Sequence, residues 1–200
     1  MPDGGLIAFC LIQMLGFAAL ASIGKSVLHA DALPPMVLEH ALLVLSIVRL
    51  LGIWLWTLVA ERTGVPAALV SAYFASACSI LPLPSAIASG PWQSAFALCL
   101  IGVSSGGVVL LSWSSFSERL ALVQQRDART DAASSYGLFT ASSKIGLGLS
   151  GFLAGAWVGR QGDSLTTQAL WPMATLIAGI CLAAAILNWS GRYGGTRAVH

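Results

Sequence analysis

The sequence predicts an all-α integral membrane protein with six transmembrane helices. Hydrophobic residues make up 56% of the 200 residues and charged residues only 9%, whereas soluble domains average about 25% charged. The mean hydropathy is +0.81. Apolar runs long enough to cross a hydrocarbon core of about 30 Å recur along the chain. Water-soluble fold classes are therefore excluded. The net charge of +2 is too small to argue for nucleic acid, so we expect a lipid bilayer and no nucleic-acid partner.

Six apolar runs of about 20 residues define the expected helices of a single six-helix domain over 1–200. They are 6–23, 37–59, 67–86, 92–113, 136–158 and 170–189. The first run resembles a signal peptide, but Asp3 stands where a positive charge is expected, which favours a spanning helix. Pro82 and Pro84 are expected to break or bend the third run. The Gly-rich end, 190–200, is expected to be a disordered cytoplasmic tail.

The distribution of Lys and Arg predicts that both termini are cytoplasmic. Six basic residues fall on the side that holds the termini and two fall on the other. The six are Arg62, Arg119, Arg126, Arg129, Arg192 and Arg197, and the two are Lys25 and Arg160. We therefore expect a multi-pass protein of the plasma membrane, which in a bacterium is the inner membrane.

Two cations, Arg49 and Lys144, fall inside the predicted hydrocarbon core. Counting at about 1.5 Å per residue from the run ends places Arg49 roughly 15 Å deep and Lys144 roughly 12 Å deep. None of the eight acids lies within a predicted hydrocarbon core: seven lie in predicted loops or termini, and Glu39 lies at the outer end of the second run. The partner of these cations is therefore absent from this chain, or is an anionic ligand, or is water. Bonds to backbone carbonyl or serine oxygens are the structural alternative, but intramembrane charges are functional by default.

The fourth run contains Gly-Val-Ser-Ser-Gly at 102–106, the spacing of a serine-hydrolase motif. That motif requires a strand, a turn and a helix, whereas this one lies within a predicted helix. A rhomboid-like intramembrane protease remains a remote alternative, because the sixth run lacks a histidine to activate Ser104. The four cysteines show no metal-ligand spacing, so we expect free thiols and no metal site. The chain offers no chemistry for an enzyme.

Small residues in the fourth and fifth runs predict close helix packing. Gly102, Gly106 and Gly107 lie in the fourth run, and the fifth carries glycines at 151, 155 and 159, preceded by Gly146 and Gly148. Small residues four positions apart form a face on which another helix can approach closely. This pattern is common in membrane bundles and predicts packing without identifying a function.

Three segments resemble a known family of transporters. The first is Leu-Gly-Ile-Trp-Leu-Trp at 51–56, running into Ala-Glu-Arg-Thr-Gly at 60–64. The second is Ile-Gly at 101–102, followed by Leu-Ser-Trp at 111–113 and Glu118. The third is Tyr-Gly-Leu-Phe at 136–139, followed by Ala-Ser-Ser-Lys-Ile-Gly at 141–146. Together they resemble helices seven to twelve of a major facilitator transporter, closest to the glycoside–pentoside–hexuronide cation symporters. Trp54 stands where that family usually has proline.

The resemblance implies that Lys144 faces a central cavity near the sugar and cation sites. It also implies a fold of two six-helix halves with the substrate between them. Each half consists of two three-helix repeats of inverted topology. Only one half is present here. The chain is therefore expected to be a fragment, a split gene product, or a half that pairs with a second half or with its own copy. The acids that bind coupling Na⁺ or H⁺ would lie mainly in the other half.

The leading hypothesis is half of a secondary transporter for a sugar or sugar acid, with no cofactor. Its substrate-binding residues are predicted to be Lys144, Arg49 and Gln13, the last a polar side chain in the first run. Two cations without a carboxylate at their depth favour an anionic substrate such as a hexuronide. The alternative is a remnant without transport activity or a membrane interaction subunit.

Overall fold

The computed structural model describes residues 4–29, 35–126, 130–161 and 167–194. Within them the chain forms seven helices and no strand, which confirms the all-α class. They are α1 Gly4–His29, α2 Pro35–Thr63, α3 Val65–Ile80, α4 Leu83–Ser89, α5 Pro91–Arg126, α6 Ala132–Gln161 and α7 Thr167–Gly194.

Among the described residues, five helical segments are long and apolar enough to cross a membrane, as expected for a multi-pass membrane protein. They are Gly4–Ser26, Leu43–Thr63, Val65–Ser89, Pro91–Arg126 and Leu170–Ser190. The fifth predicted run forms helix α6, of 30 residues, but this helix is not among the five. Lys144 and many small or hydroxyl-bearing residues lower its hydropathy. A membrane-spanning position for α6 therefore stays a prediction.

The predicted break in the third run is confirmed. Helix α3 ends at Ile80, a turn follows, and α4 begins at Leu83. Proline has no N–H to donate and its ring clashes with the carbonyl of residue i−4, so Pro82 cannot continue α3. The N–H of Leu81 still donates to the Ala77 carbonyl at 3.1 Å, which closes the last turn of α3.

Several predicted helix ends are wrong because the helices run further than the apolar runs, and the largest difference is in α5. Helix α5 continues from the predicted end at 113 to Arg126, since Phe116 and Leu120 extend its buried face beyond the apolar run. Helix α7 continues to Gly194, so the first part of the tail predicted to be disordered is helical. The rest of that tail lies outside the described residues.

The helices pack as three main pairs: α1 with α6, α2 with α5, and α3 with α7. Helix α3 also packs on α5. The largest fully buried side chains include Phe9, Tyr73, Phe116, Phe139 and Leu170, which come from α1, α3, α5, α6 and α7. The α1–α6 pair and the α2–α5 pair form the two sides of a cavity.

Glycines allow α2 and α5 to approach each other closely, as predicted for Gly102, Gly106 and Gly107. A Cβ atom on Gly106 would lie 2.6 Å from the carbonyl oxygen of Arg49. Gly107 faces the indole of Trp56, and that indole donates its Nε1–H to the Val103 carbonyl at 3.1 Å. Real Cβ atoms do not come that close to a backbone oxygen, so this crossing requires glycine.

The corresponding prediction for the fifth run is wrong at two of its three glycines. No described atom lies within 4 Å of a Cβ built on Gly155 or Gly159, and Gly151 meets only the Lys25 ammonium, at 3.2 Å. A close approach between α1 and α6 lies at Gly146, which precedes these three in the predicted pattern and whose Cβ would lie 2.5 Å from the Met14 carbonyl oxygen. The glycine at which α6 lies against the backbone of α1 is therefore nearer the start of α6 than the glycines at 151, 155 and 159.

Helix α6 begins with an aspartate cap. Asp131 accepts hydrogen bonds from the N–H of Ala133 at 3.1 Å, the N–H of Ser134 at 3.2 Å and the Ser134 hydroxyl at 2.6 Å. These bonds, the Ser134 hydroxyl first, hold the pKa of Asp131 below its ordinary range. They satisfy N–H groups that the first turn of a helix leaves without a partner.

Asp131→Ala is expected to lower the melting temperature of the detergent-solubilised protein, by roughly 2–4 °C. Because the folded pKa is lowered, the carboxylate stabilises the fold above its unfolded pKa of about 3.9. That contribution is lost as the pH falls through the folded pKa. Melting curves at pH 7 and near pH 3 should therefore differ less for Asp131→Ala than for the wild type. Asp131→Asn is the control, since asparagine is also an effective cap, and an equal loss in both variants would contradict this role.

Candidate functional site

A cavity of about 560 Å³ lies between α1, α2, α5 and α6. This volume is in the usual range for small-molecule sites, roughly 300–1,000 Å³. Most of its wall is apolar. Three cations also line it, together with four hydroxyl groups. The cations are Lys25, Arg49 and Lys144, and the hydroxyl residues are Ser46, Ser105, Thr140 and Ser143.

Arg49 enters the cavity from the middle of α2. Its backbone carbonyl lies against Gly106 of α5, which fixes the height of the residue in the bundle, and its side chain is exposed. Ser105 and Gly102 line the cavity beside it. Because the guanidinium stays charged under ordinary conditions, it keeps a positive charge at this point of the wall.

Lys144 enters the cavity from α6. It shares a helical face with Thr140 and Leu147, which also line the cavity one turn before and one turn after it. Its side chain is exposed. The two cations predicted from depth alone therefore lie in the wall of one cavity. No carboxylate occurs among the lining residues in the part of the chain that the structure describes.

Lys25 is a cavity residue that sequence reasoning misses. The end of the first apolar run predicts a loop at this position, but α1 continues to His29 and carries Lys25 into the wall. Its ammonium donates to the Ser150 hydroxyl at 3.0 Å and to the Leu147 carbonyl at 3.2 Å. Lys25 thus ties α1 to α6 one to two turns beyond Lys144. The sequence feature that could have indicated this longer helix is the lack of a proline between 23 and 29.

Gln13 lies apart from the cavity-lining residues. Its side chain is fully buried, and its Oε1 accepts hydrogen bonds from the Tyr73 hydroxyl and the Ser112 hydroxyl, both at 2.6 Å. These bonds join α1 to α3 and α5. The substrate contact predicted for Gln13 stays a prediction, while the observed contacts are those of a core hydrogen-bond network.

Trp113 is the last lining residue of α5 and belongs to an aromatic cluster. Its ring meets Phe139 edge-on with centroids 4.6 Å apart, and Phe139 stacks on Phe116 at the same separation. Phe9 joins the stack, and the Arg119 guanidinium lies 4.7 Å from the centre of the Phe9 ring. Edge-on and stacked aromatic pairs hold side chains firmly, so this end of the cavity has a well-packed wall.

Ser104, the candidate protease nucleophile, is buried between α3 and α5. Its hydroxyl lies 3.3 Å from the Ser79 hydroxyl and donates to the Ile101 carbonyl at 3.2 Å. A serine nucleophile requires a general base within hydrogen-bond reach, and these two partners are a hydroxyl and a carbonyl.

No family model, curated protein or solved structure matches the chain. The resemblance to cation symporters therefore stays a prediction from the sequence. The cavity and the residues that line it are the remaining guide to function.

Proposed function

We propose that this chain is half of a secondary active transporter that carries a sugar acid. The observation behind the proposal is that Arg49 and Lys144, from different helices, line one cavity of solute size. A charge near the centre of a bilayer costs about 2.5–3.5 kcal/mol, so such residues mark solute and ion pathways. An anionic solute that pairs with the two cations would offset that cost. A neutral sugar would not, which favours the acid.

The pairing of helices supports the assignment as one half of a major facilitator bundle. An inverted repeat would relate α1, α2 and the α3–α4 segment to α5, α6 and α7 by a two-fold axis. Under that operation the α1–α6 contact becomes the α5–α2 contact, and the α3–α7 contact maps onto itself. These are three of the four most extensive helix contacts of the bundle, and the fourth, α3 with α5, maps onto the smaller contact of α7 with α1. The four helices around the cavity are then the first two of each repeat.

The exposed surface of α2 supports a membrane setting and leaves room for a second half. Leu50, Leu51 and Trp54 are each at least 60% exposed, although α2 is strongly apolar. Lipid covers part of such a surface, and a second six-helix half or a second copy of this chain covers the part next to the cavity. Acids on that partner would bind the coupling Na⁺ or H⁺, because the described cavity wall supplies none.

Binding of sugars by the assembled transporter tests the proposal. The chain together with its partner half, or its homodimer, is placed in nanodiscs of zwitterionic lipid, which supply no competing net anion, and titrated calorimetrically with galacturonate and with galactose. Galacturonate is expected to bind at least about tenfold tighter, a difference of about 1.4 kcal/mol. Galactose that binds equally well, or the absence of binding by either, would contradict the proposal.

The oligomeric state of the chain tests whether it is a half. Size measurement in mild detergent, alone and after co-expression with any six-helix chain encoded next to it, is expected to give a complex of two halves or a dimer. A lone half exposes Arg49 and Lys144 to lipid, which costs several kcal/mol while both are charged. A stable, monodisperse monomer would therefore contradict a half-transporter.

A further inference from the structure

Two of the three cations in the described cavity wall come from different sides of the cavity. Arg49 belongs to the α2–α5 pair, and Lys144 belongs to the α1–α6 pair. Each projects from its own helix into the same space. Their positive charges therefore add within one cavity of about 560 Å³ whose wall is mostly apolar. An apolar wall lowers the local dielectric, so charges inside interact more strongly than in water.

Lys25, the third cation of the wall, is already engaged by the protein. Its ammonium has the Ser150 hydroxyl and the Leu147 carbonyl as acceptors at 3.0 and 3.2 Å. It holds α1 against α6 and keeps its positive charge, because both acceptors are neutral, but its donors are directed at α6. Arg49 and Lys144 therefore remain to contact the ligand directly, and no carboxylate occurs among the described lining residues.

We infer that the solute of this cavity carries two negative charges rather than one. This inference rests on the proposed function and narrows its substrate class. A monoanion such as a uronate pairs with one cation and leaves the other in an apolar cavity, which is the costly arrangement. A dianion pairs with both. Two carboxylates, as in an aldaric acid, and one phosphate, as in a sugar phosphate, share this charge.

Arg49 and Lys144 differ in the hydrogen-bond geometry that each requires of the ligand. The Arg49 guanidinium presents a planar fork of donors that matches a carboxylate or a phosphate with two parallel hydrogen bonds. The Lys144 ammonium is a compact charge with three rotatable donors and sets no such plane. The fork therefore fixes the orientation of one anionic group, and Lys144 attracts the second charge. Arg49→Lys keeps the charge but loses the fork.

The test compares ligands of similar size and different charge on the same assembly, the chain with its partner half or its homodimer, in zwitterionic nanodiscs. The probes are galactarate with two carboxylates, galactose 6-phosphate, galacturonate with one carboxylate, and galactose. We expect at least one dianion to bind about tenfold or more tighter than galacturonate at low salt, and the preference to shrink as salt is raised. If only galactarate binds tighter than galacturonate, the solute carries two separate anionic groups. If only galactose 6-phosphate does, the solute carries one doubly charged group.

Charge-removing variants show whether the two cations carry this preference. Arg49→Gln and Lys144→Gln are each expected to bring the preferred dianion down to the affinity of galacturonate, and Arg49→Lys to weaken it less. The matched controls are Arg62→Gln, at the exposed end of α2, and Arg160→Gln, at the exposed end of α6, which should leave the preference intact. Size-exclusion profiles show that each variant is folded.

The outcomes separate the dianion from the transporter proposal. Equal affinity for galacturonate and both dianions, above that for galactose, overturns the dianion inference and leaves the proposal of a sugar-acid carrier in place. A dianion preference that survives both Arg49→Gln and Lys144→Gln overturns the assignment to these two residues. No binding of any probe overturns both proposals.

Discussion

Gly106→Ala is expected to be among the most damaging single-methyl changes in the bundle. The added Cβ would lie 2.6 Å from the carbonyl oxygen of Arg49 and 3.1 Å from its Cγ. A backbone oxygen has no rotamer with which to move away, so α2 and α5 must separate. Overpacking of this kind costs about 1–3 kcal/mol. The better helix propensity of alanine returns up to about 1 kcal/mol.

The same change should also weaken ligand binding, because Arg49 is held in place by the helix that moves. A shift of α2 away from α5 moves the Arg49 guanidinium relative to Lys144 on α6, so the two cations no longer match the same ligand. We expect about tenfold weaker binding of the preferred sugar acid, equal to about 1.4 kcal/mol. Thermal unfolding in detergent measures the loss of stability, and calorimetric titration in nanodiscs measures the loss of affinity.

Gly155→Ala is the matched control for Gly106→Ala. It adds the same methyl group to another long helix, at a site with no described atom within 4 Å. Alanine is the better helix former by about 0.8–1.0 kcal/mol, so the melting temperature should be unchanged or raised. If both variants lose the same stability, the contact between Gly106 and Arg49 is not the cause. If Gly106→Ala is as stable as the wild type, the close α2–α5 crossing at this glycine is wrong.

The two cavity cations show what can be inferred from the sequence. Arg49 and Lys144 stand out because a charge in the middle of a long apolar run almost always faces the bundle interior or an aqueous cavity. Depth along a helix follows from counting residues, so their common level in the bundle can be predicted. Their presence in one cavity depends on which helices pair, and the sequence does not state this. The prediction that each marks a cavity is consistent with the observed lining.

Lys25 and Gln13 show where the same reasoning fails. Hydropathy ends the first helix before Lys25, because a cation lowers the local average whether or not the helix continues. The helix does continue, and hydrogen bonds to α6 accommodate the charge. The cavity prediction for Gln13 depends on its being polar within an apolar run. Polarity does not tell which face of a helix a side chain occupies, and a run that is apolar on every side gives no direction.

Glycine patterns fail for a related reason. The glycines at 102, 106 and 107 and those at 151, 155 and 159 look alike in sequence, yet only the first set lies against another helix's backbone or apolar side chains in the described residues. A small residue permits close approach but does not cause it. The crossing point of two helices depends on all the side chains along both, and this is set at the level of the whole bundle.

Gln13→Leu is expected to destabilise the bundle by about 1–3 kcal/mol without changing the cavity. Leucine has a similar volume, so the main effect is loss of the amide oxygen that accepts from Tyr73 and Ser112. Ser112 keeps a second acceptor in the Val108 carbonyl at 2.6 Å. Tyr73 is fully buried, so its hydroxyl loses its acceptor and keeps the Ser112 hydroxyl as a neighbour, which costs about that amount. Removal of the Gln13 amide nitrogen, which has no partner among the described residues, offsets part of the loss.

A double-mutant cycle with Tyr73→Phe isolates this interaction. Removing both partners together leaves no orphan hydroxyl and no orphan amide, so the double variant should lose less stability than the two single losses added. Unfolding in detergent gives the stabilities, and a coupling of about 1 kcal/mol or more is expected. Additive losses would mean that the 2.6 Å contact contributes little.

Ligand affinity in the same variants decides between the two roles of Gln13. A core residue that links α1 to α3 and α5 should alter stability and leave sugar-acid affinity unchanged once the protein is folded. Loss of affinity in folded Gln13→Leu, with Tyr73→Phe binding normally, would return Gln13 to the substrate site that the sequence suggests. Tyr73→Phe perturbs the same network but leaves the Gln13 side chain in place. It therefore separates a direct contact of Gln13 with the ligand from a general loosening of the bundle.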